Sequence, residues 1–247
     1  MKKRILAYIV VLSMAAVMAL PTATSAATNT VISATLNNVP TVTGITPASG
    51  VQGWSYTLVE IDGTDLTGAT AVTFSGAGVT ASAINVTSAT VMTVTVTIAS
   101  NATAGGRNVI VTTPGGPSDA LIGGFTVVAR SITVSAPANF SLGALVRGID
   151  NKVHGPNGSV TTNSQNWQVT ATGADSNDSH MNNGTASLSN RLEISKDGST
   201  NWVPANGSLT YTQTDGTTLT FWAQQYVAPA DPIGSYTITI TFTGSIS

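Results

Sequence analysis

The most regular feature of the sequence is the alternation of apolar and polar residues over short stretches. Residues 91–98 alternate almost strictly, and residues 57–61 and 108–112 do so more loosely. A period of two places one face of a strand on a core and the other in water. Glycine and proline clusters, such as residues 47–50 and 114–117, separate these stretches. Short strands with turn signals at regular spacing predict a β-sandwich.

The same pattern continues after residue 128. Further strands are predicted at residues 131–134, 167–171, 192–195, 219–223 and 236–242. Asp197-Gly198 is a strong hairpin signal, and no helix of three turns is expected after residue 27. The chain is therefore predicted to be all-β, with two tandem antiparallel, immunoglobulin-like β-sandwiches at residues 40–128 and 131–247.

The N-terminus has the three parts of a signal peptide. Residues 2–4 are basic, residues 5–20 form an apolar run, and residues 25–27 are small. A run of about 16 residues is shorter than the roughly 20 that span a bilayer, although a retained anchor is the alternative. We expect residues 1–27 to be removed, residues 28–39 to be a linker, and the protein to be secreted or displayed at the cell surface.

Charge and cysteine content exclude several functions. The chain has nine basic and eleven acidic residues, and removal of residues 2–4 leaves six basic ones and a net charge of about −5. This balance argues against binding to nucleic acid or to anionic lipid. The absence of cysteine rules out thiol catalysis and cysteine-based metal sites.

Residues 40–128 carry a spaced set of glycine, proline and apolar positions. The set comprises Pro40, Val42, Gly44, Ile45, Pro47, Gly50, Gly53, Leu58, Gly63, Leu66, Gly68, Ala69, Val72, Phe74, Gly76, Gly105, Val109, Val111, Thr113, Gly116 and Phe125. It resembles the IPT/TIG family, which has an immunoglobulin-like fold. The resemblance implies a structural and recognition module, found in cell-surface receptors, transcription factors and carbohydrate-acting enzymes.

Two further expectations accompany this resemblance. Ile45, Leu58, Leu66 and Phe74 should fill the core of the first module. Arg107 is its one basic residue before Arg130, so this copy does not resemble the DNA-binding members of the family.

The second module resembles the WxL-type wall-associated modules of microbial envelopes. Asn166-Trp167-x-Val169 and Gly234-x-Tyr236-x-Ile238-x-Ile240-x-Phe242 carry the resemblance, with Phe242 where that type has a second Trp. The partner implied is an extracellular or envelope protein or polysaccharide.

Aromatic residues of the second module are candidates for ligand binding. Trp202, Trp222 and Tyr226 lie close together in sequence, and an aromatic ring can pack on the apolar C–H face of a sugar. Burial in the sandwich core is the alternative. Trp202 follows a polar turn and is expected to be the most exposed, and Trp54 has a similar position in the first module. A carbohydrate-binding protein is thus the alternative to a structural and adhesive one.

One loop offers oxygen ligands for a metal. Asp175, Asn177 and Asp178 are of the type that Ca²⁺ prefers. These residues also form ordinary turns, so we expect no cofactor, with Ca²⁺ at this loop as the alternative.

The sequence predicts no catalysis. A glycosidase needs two opposed carboxyl groups, and the only glutamates, Glu60 and Glu193, lie within strand patterns. Neither histidine occurs in a Gly-x-Ser-x-Gly context. The protein is therefore predicted not to be an enzyme.

The last predicted strand, residues 236–242, has no charged residue. At the edge of a sheet such a strand would pair with another subunit or a partner strand. A central position is the alternative that we favour.

Overall fold

The computed structural model describes residues 33–173 and 178–246, so the predicted signal peptide lies outside the described residues. Apart from one 3₁₀ turn at Gln213–Asp215, the regular elements in these ranges are strands, which confirms the all-β prediction. Over the same ranges, no helix has the length and apolar character needed to cross a membrane.

The first half of the described chain forms two facing sheets. Its strands are β1 (Thr41–Thr46), β2 (Ser49–Val51), β3 (Ser55–Thr64), β4 (Ala71–Phe74), β5 (Val79–Val86), β6 (Val91–Ile98), β7 (Gly105–Thr113), β8 (Gly116–Pro117) and β9 (Leu121–Val128). One sheet has the order β1-β3-β6-β5 and the other β2-β9-β7-β4, with β8 beside β7. The β2–β9 pair is parallel and the remaining pairs are antiparallel.

The core of this half is formed by the apolar residues of the alternating pattern. Met92, Val94, Val96 and Ile98 of β6 are buried against the opposite sheet. Their burial removes apolar surface from water, which is the main stabilising term of a sandwich. Among the residues expected in the core, Ile45, Leu66 and Phe74 are buried, as predicted.

The prediction that Leu58 fills the core is wrong. Leu58 is 76% exposed and has a φ of 57°. It lies where the register between β3 and β6 shifts, between Tyr56 and Val59. A bulge inserts extra residues and re-aims side chains, so Val59 takes the buried position and Leu58 points to solvent.

Gly50 is required by close packing. A Cβ atom at this position would lie 2.6 Å from Ile98 Cδ1 and 2.6 Å from Tyr56 Cε2. The glycine of the family motif therefore lets β2 approach the core side chains of β3 and β6.

The second half is divided into smaller sheets. Its strands are β10 (Ile132–Ser135), β11 (Asp150–His154), β12 (Gly158–Thr162), β13 (Trp167–Gly173), β14 (His180–Asn182), β15 (Ser187–Arg191), β16 (Glu193–Ser195), β17 (Val203–Pro204), β18 (Leu209–Thr212), β19 (Thr218–Leu219), β20 (Trp222–Tyr226) and β21 (Ile240–Ile246). The sheet orders are β10-β12-β19, β11-β20-β16-β17, β18-β13-β21 and β14-β15.

A second hydrophobic cluster holds these sheets together. Trp167, Val169, Tyr211 and Leu219 are among its buried members. Tyr211 is 1% exposed, and its hydroxyl donates a hydrogen bond to the Thr220 carbonyl at 2.5 Å. Burial, together with the nearby charge of Asp215, raises the pKa of Tyr211, so the phenol stays neutral.

The last strand differs from its prediction in position and in neighbours. It spans Ile240–Ile246, whereas Thr237 forms only an isolated bridge with Asn182. Within the described residues β21 pairs only with β13, at the edge of its sheet. The favoured central position is therefore wrong, because β10, which contacts β21, pairs with β12 instead.

Two side-chain amides, Gln52 of the first half and Asn163 of the second, form hydrogen bonds with the backbone of the short connection between the halves. The Arg130 N–H donates a hydrogen bond to Gln52 Oε1 at 3.0 Å. Asn163 accepts a hydrogen bond from the Ser131 N–H at 2.7 Å and donates one to the Ala129 carbonyl at 2.9 Å. These bonds pair backbone N–H and C=O groups of the short connection, which would otherwise need water molecules as partners.

Candidate functional site

The outer face of the β11-β20-β16-β17 sheet carries the predicted ligand-binding residues. Directly opposite residues of neighbouring strands project to the same face. Lys152 and Glu193 both lie opposite Gln224, and His154 lies opposite Trp222. The alternate residues Ala223 and Ile194 belong to the buried cluster, so the Trp222 side of the sheet faces outward.

We call this surface the aromatic face. It consists of Lys152, His154, Glu193, Trp202, Trp222, Gln224 and Tyr226.

Trp202 is not the most exposed of the three predicted aromatic residues. It is half-buried, and the Lys152 Nζ atom lies 5.1 Å from its ring centroid. Its indole N–H is buried and has no hydrogen-bond partner among the described residues. The expectation was wrong because a strand about fifty residues away in sequence brings Lys152 over the ring.

Trp222 is held from two sides. Its ring makes an edge contact with His154, with centroids 4.7 Å apart and planes at 61°. On the other side it packs on Gly198, where a Cβ atom would overlap the indole. The turn that presents Gly198 is fastened by Asp197, whose Oδ1 accepts hydrogen bonds at 2.9 Å from the N–H groups of Ser199 and Thr200.

These contacts also set the charge of the turn. The Thr200 hydroxyl donates to Asp197 Oδ2 at 2.6 Å. This bond and the backbone bonds from Ser199 and Thr200 hold the pKa of Asp197 well below its usual range. The turn beside Trp222 therefore carries a fixed negative charge.

Tyr226 is the exposed aromatic of the face, at 38%. It is four residues after Trp222 on the same strand, so both side chains project to one side of β20. Gln224 lies between them and donates a hydrogen bond to Glu193 Oε2 at 2.5 Å. The Gln224 Oε1 atom is buried without a partner in the described part of the chain.

The structure thus brings Trp202, Trp222 and Tyr226 to one face of the sheet, with the exposed Lys152 and the half-buried Glu193 beside the rings and the buried Gln224 beneath them. Sequence reasoning missed Lys152 and Gln224. The period of two would have found Gln224, which it places between Trp222 and Tyr226 on one face, whereas Lys152 reaches this face only through the pairing of β11 with β20.

The calcium alternative stays a prediction. Asp175 and Asn177 lie outside the described residues. Asp178 forms an ion pair with Arg191, and its Oδ1 accepts a hydrogen bond from Asn206 Nδ2 at 2.5 Å. The hydrogen bond from Arg191, with a smaller contribution from Asn206, outweighs desolvation and lowers the pKa of Asp178. Over residues 33–173 and 178–246, no group of three or more acidic or histidine residues is placed to hold a metal ion.

The two glutamates lie on strands of different halves. Glu60 is on the exposed side of β3, and Glu193 lies on β16 next to Gln224. Both positions agree with the prediction that these residues occupy strand faces.

Comparison with known proteins identifies the first half. Residues 40–128 match the family model of the IPT/TIG domain. No curated protein matches the sequence significantly. The resemblance of the second half to WxL-type modules is not tested by these matches and stays a prediction.

Several solved structures align with this chain at low similarity. A chaperone–tip adhesin complex of CFA/I fimbriae biogenesis aligns with a TM-score of 0.34 and 10% identity, over 85% of this chain and 83% of that one. SGBP-B from a complex xyloglucan utilization locus in Bacteroides uniformis gives 0.28 and 12%, over 85% and 74%. The CsuC–CsuE chaperone–tip adhesion subunit complex of Acinetobacter baumannii gives 0.35 and 11%, over 84% and 100%.

At these TM-scores the solved structures carry no functional conclusion. The family match does identify the module, and it agrees with the two facing sheets and with the motif glycines and apolar residues found in their core. Residues 40–128 of this chain are therefore an IPT/TIG domain with an immunoglobulin-like fold.

Proposed function

We propose that this is a non-catalytic, extracellular adhesive protein that binds polysaccharide through the aromatic face of its second module. The observation that carries the proposal is the placement of Trp222, Gln224 and Tyr226 on the outer side of one strand, flanked by Lys152 and Glu193. Rings offer stacking surface for sugar C–H groups, and the exposed Lys152 ammonium and the half-buried Glu193 carboxylate offer hydrogen bonds to hydroxyls. Gln224 is 7% exposed and supports the site by its hydrogen bond to Glu193. An open sheet face suits a polymer, which passes across the surface without having to enter a cleft.

The first module is proposed to act as a spacer and second contact surface. This role rests on the family match of residues 40–128 and on the tied joint at Ala129 to Ser131. Secretion rests on the predicted signal peptide at residues 1–27. The boundaries of the linker, residues 28–39, and of the second module, residues 131–247, remain part of the same proposal.

Binding should be measured with the chain that lacks residues 1–27, against polysaccharides from the envelope of the source organism. Intrinsic tryptophan fluorescence and isothermal titration calorimetry report the interaction. We expect Tyr226→Ala to weaken binding by about tenfold or more, equivalent to about 1.4 kcal/mol. The matched control is Phe140→Ala, since Phe140 is also 38% exposed but lies outside the aromatic face.

Equal affinities of Tyr226→Ala, Phe140→Ala and the parent chain would overturn the assignment of binding to the aromatic face. A thermal unfolding curve of each variant separates a lost contact from a lost fold.

Self-association is a second candidate activity, favoured by the position of β21. This strand carries no charged residue and has β13 as its only ladder partner among the described residues. An uncharged edge strand presents unpaired N–H and C=O groups to a further strand. We propose that β21 pairs with β21 of a second copy, which would give an adhesive protein two binding faces and a gain in avidity.

A further inference from the structure

We propose that the groove between the two modules is a second binding site, specific for a neutral oligosaccharide. The groove has a volume of about 600 Å³ and is lined on one side by Trp54 and Tyr56 and on the other by Gln165, Asn166 and Gln213. This volume lies within the range of small-molecule binding sites. The groove is separate from the aromatic face and shares no residue with it.

The wall from the first module is aromatic and fixed in orientation. The rings of Trp54 and Tyr56 are stacked, with centroids 6.1 Å apart and planes at 21°. The Tyr56 hydroxyl accepts a hydrogen bond from the Val51 N–H at 2.8 Å, which fixes that ring. The indole N–H of Trp54 is buried and has no partner within the described residues, so a donor at this wall is unused by the fold.

The wall from the second module is a row of amides. Gln165, Asn166 and Gln213 are exposed, and their side chains make no hydrogen bond to a described residue. The loop that presents them is itself ordered, because the buried Ser164 hydroxyl donates to the Asn166 carbonyl at 3.1 Å. An amide both donates and accepts hydrogen bonds, which matches the mixed donor and acceptor character of neighbouring sugar hydroxyls.

The electrostatics select a neutral ligand. The described residues that line the groove include no aspartate, glutamate, lysine, arginine or histidine. An anionic or cationic ligand would therefore lose its hydration without gaining a paired charge. A stacking ring, free amides and no charge together fit a neutral sugar better than a peptide terminus or a phosphate ester.

The groove continues into a second depression, which indicates an extended ligand. This depression has a volume of about 380 Å³ and shares Asn166 and Gln213 with the first. Thr212, Thr214 and Ser245 add hydroxyl groups to its lining. The two adjoining volumes together accommodate several sugar units.

The test uses the chain without residues 1–27 and four neutral probes: cellohexaose, xylohexaose, mannohexaose and maltohexaose. Hexagalacturonate is the charged counterpart. We expect at least one neutral probe to bind, and hexagalacturonate to bind at least tenfold more weakly or not at all. Trp54→Ala should weaken binding by tenfold or more and Asn166→Ala by about threefold to tenfold.

The matched control for Asn166→Ala is Asn157→Ala, because Asn157 is exposed in the same module, away from the groove, and makes no side-chain hydrogen bond to a described residue. Asn166 is itself exposed, so its variant tests the groove even if Trp54→Ala fails to fold.

Four outcomes overturn the proposal: no neutral probe binds, the charged probe binds as tightly as the neutral ones, Asn166→Ala binds like Asn157→Ala, or Tyr226→Ala loses the binding that Trp54→Ala retains. Loss of binding in Tyr226→Ala with retention in Trp54→Ala would assign the probe to the aromatic face. That result would overturn the groove proposal and leave the proposed function intact.

Discussion

Lys152 covers the ring of Trp202, with its Nζ atom 5.1 Å from the ring centroid. An ammonium in this position is attracted to the electron-rich face of the indole. A sugar that stacks on Trp202 must therefore first displace Lys152. Tyr226, which is 38% exposed, offers a ring without that competition and is the better first contact.

The Lys152–Trp202 contact can be measured by a double-mutant cycle. Lys152→Met keeps the aliphatic chain and removes the charge, and it should lower the free energy of unfolding by about 0.5–1 kcal/mol, as expected for an exposed cation–π pair. The same change in a Trp202→Leu background should have almost no effect, because the ring is gone. Urea denaturation gives both values. An equal loss in both backgrounds would show that Lys152 stabilises the fold by some other contact.

Asp231 makes stability sensitive to acid. It is 5% exposed, and its carboxylate accepts hydrogen bonds from the N–H groups of Ser189 at 2.9 Å and Ala228 at 2.7 Å. Burial alone would raise the pKa of Asp231, but these bonds and the charge of Arg147 outweigh burial and lower it. A lowered pKa means that the carboxylate stabilises the fold above its unfolded-state pKa of about 3.9, and that this contribution is lost as the pH falls through the folded value.

The test of this relation is Asp231→Asn. It should cost about 1–3 kcal/mol at pH 7, because a buried N–H loses its acceptor, and the variant should show a smaller further loss below about pH 4 than the parent chain. Asp119→Asn is the control, since Asp119 is exposed and makes no hydrogen bond to a described residue. Parallel stability curves of the parent and Asp231→Asn from pH 7 to pH 3 would contradict the assignment.

Gly50 should be intolerant of even one methyl group. In Gly50→Ala the added Cβ meets Ile98 and Tyr56 at 2.6 Å, and overpacking of this kind costs typically about 1–3 kcal/mol. Gly106→Ala is the matched control, because its Cβ would find only Gly123 Cα, at 3.7 Å. Chemical denaturation gives the free energy of unfolding of both variants and so tests whether Gly50 is required for close packing.

The β21 edge predicts concentration-dependent association. Thr243 is exposed on this strand, and Thr243→Lys should abolish association, because like charges on paired edges repel. Thr126→Lys adds the same charge on β9, which is already paired on both sides by β2 and β7, and should leave association unchanged. Sedimentation velocity across a range of protein concentrations makes the comparison. A parent chain that stays monomeric at all concentrations would exclude pairing through β21.

The sequence predicted the elements that depend on residues close together in the chain. Residues 91–98 were predicted as a strand and form β6 with the same limits, because a strict period of two has one interpretation. The motif glycines and prolines located the first module for the same reason, since each enforces a particular turn or close approach. Trp202, Trp222 and Tyr226 were predicted together; Trp222 and Tyr226 lie on β20, and Trp202 directly precedes β17 of the same sheet.

What the sequence did not predict depends on distant pairing. Leu58 was placed in the core with the family motif, but it lies at the register shift opposite β6 and points outward, on the same side as Glu60. Lys152 reaches Trp202 only because β11 pairs with β20, and the groove beside Trp54 exists only where two modules meet. Neither the Lys152–Trp202 contact nor the groove beside Trp54 can be recognised from a short stretch of sequence.

The parallel pairing of β2 with β9 has a mechanical consequence for the adhesive function proposed above. The two strands run in the same direction near opposite ends of the IPT/TIG domain's chain. A pull on the start of the domain and on its exit at Val128 therefore drags the strands past each other along their length. The backbone hydrogen bonds between them share such a load in shear, whereas an antiparallel hairpin pulled at its open ends breaks bond by bond. Tension that enters at Val128 meets the ladders of β9 with β2 and β7, whereas tension that enters at the start of the domain first meets the antiparallel pair of β1 and β3.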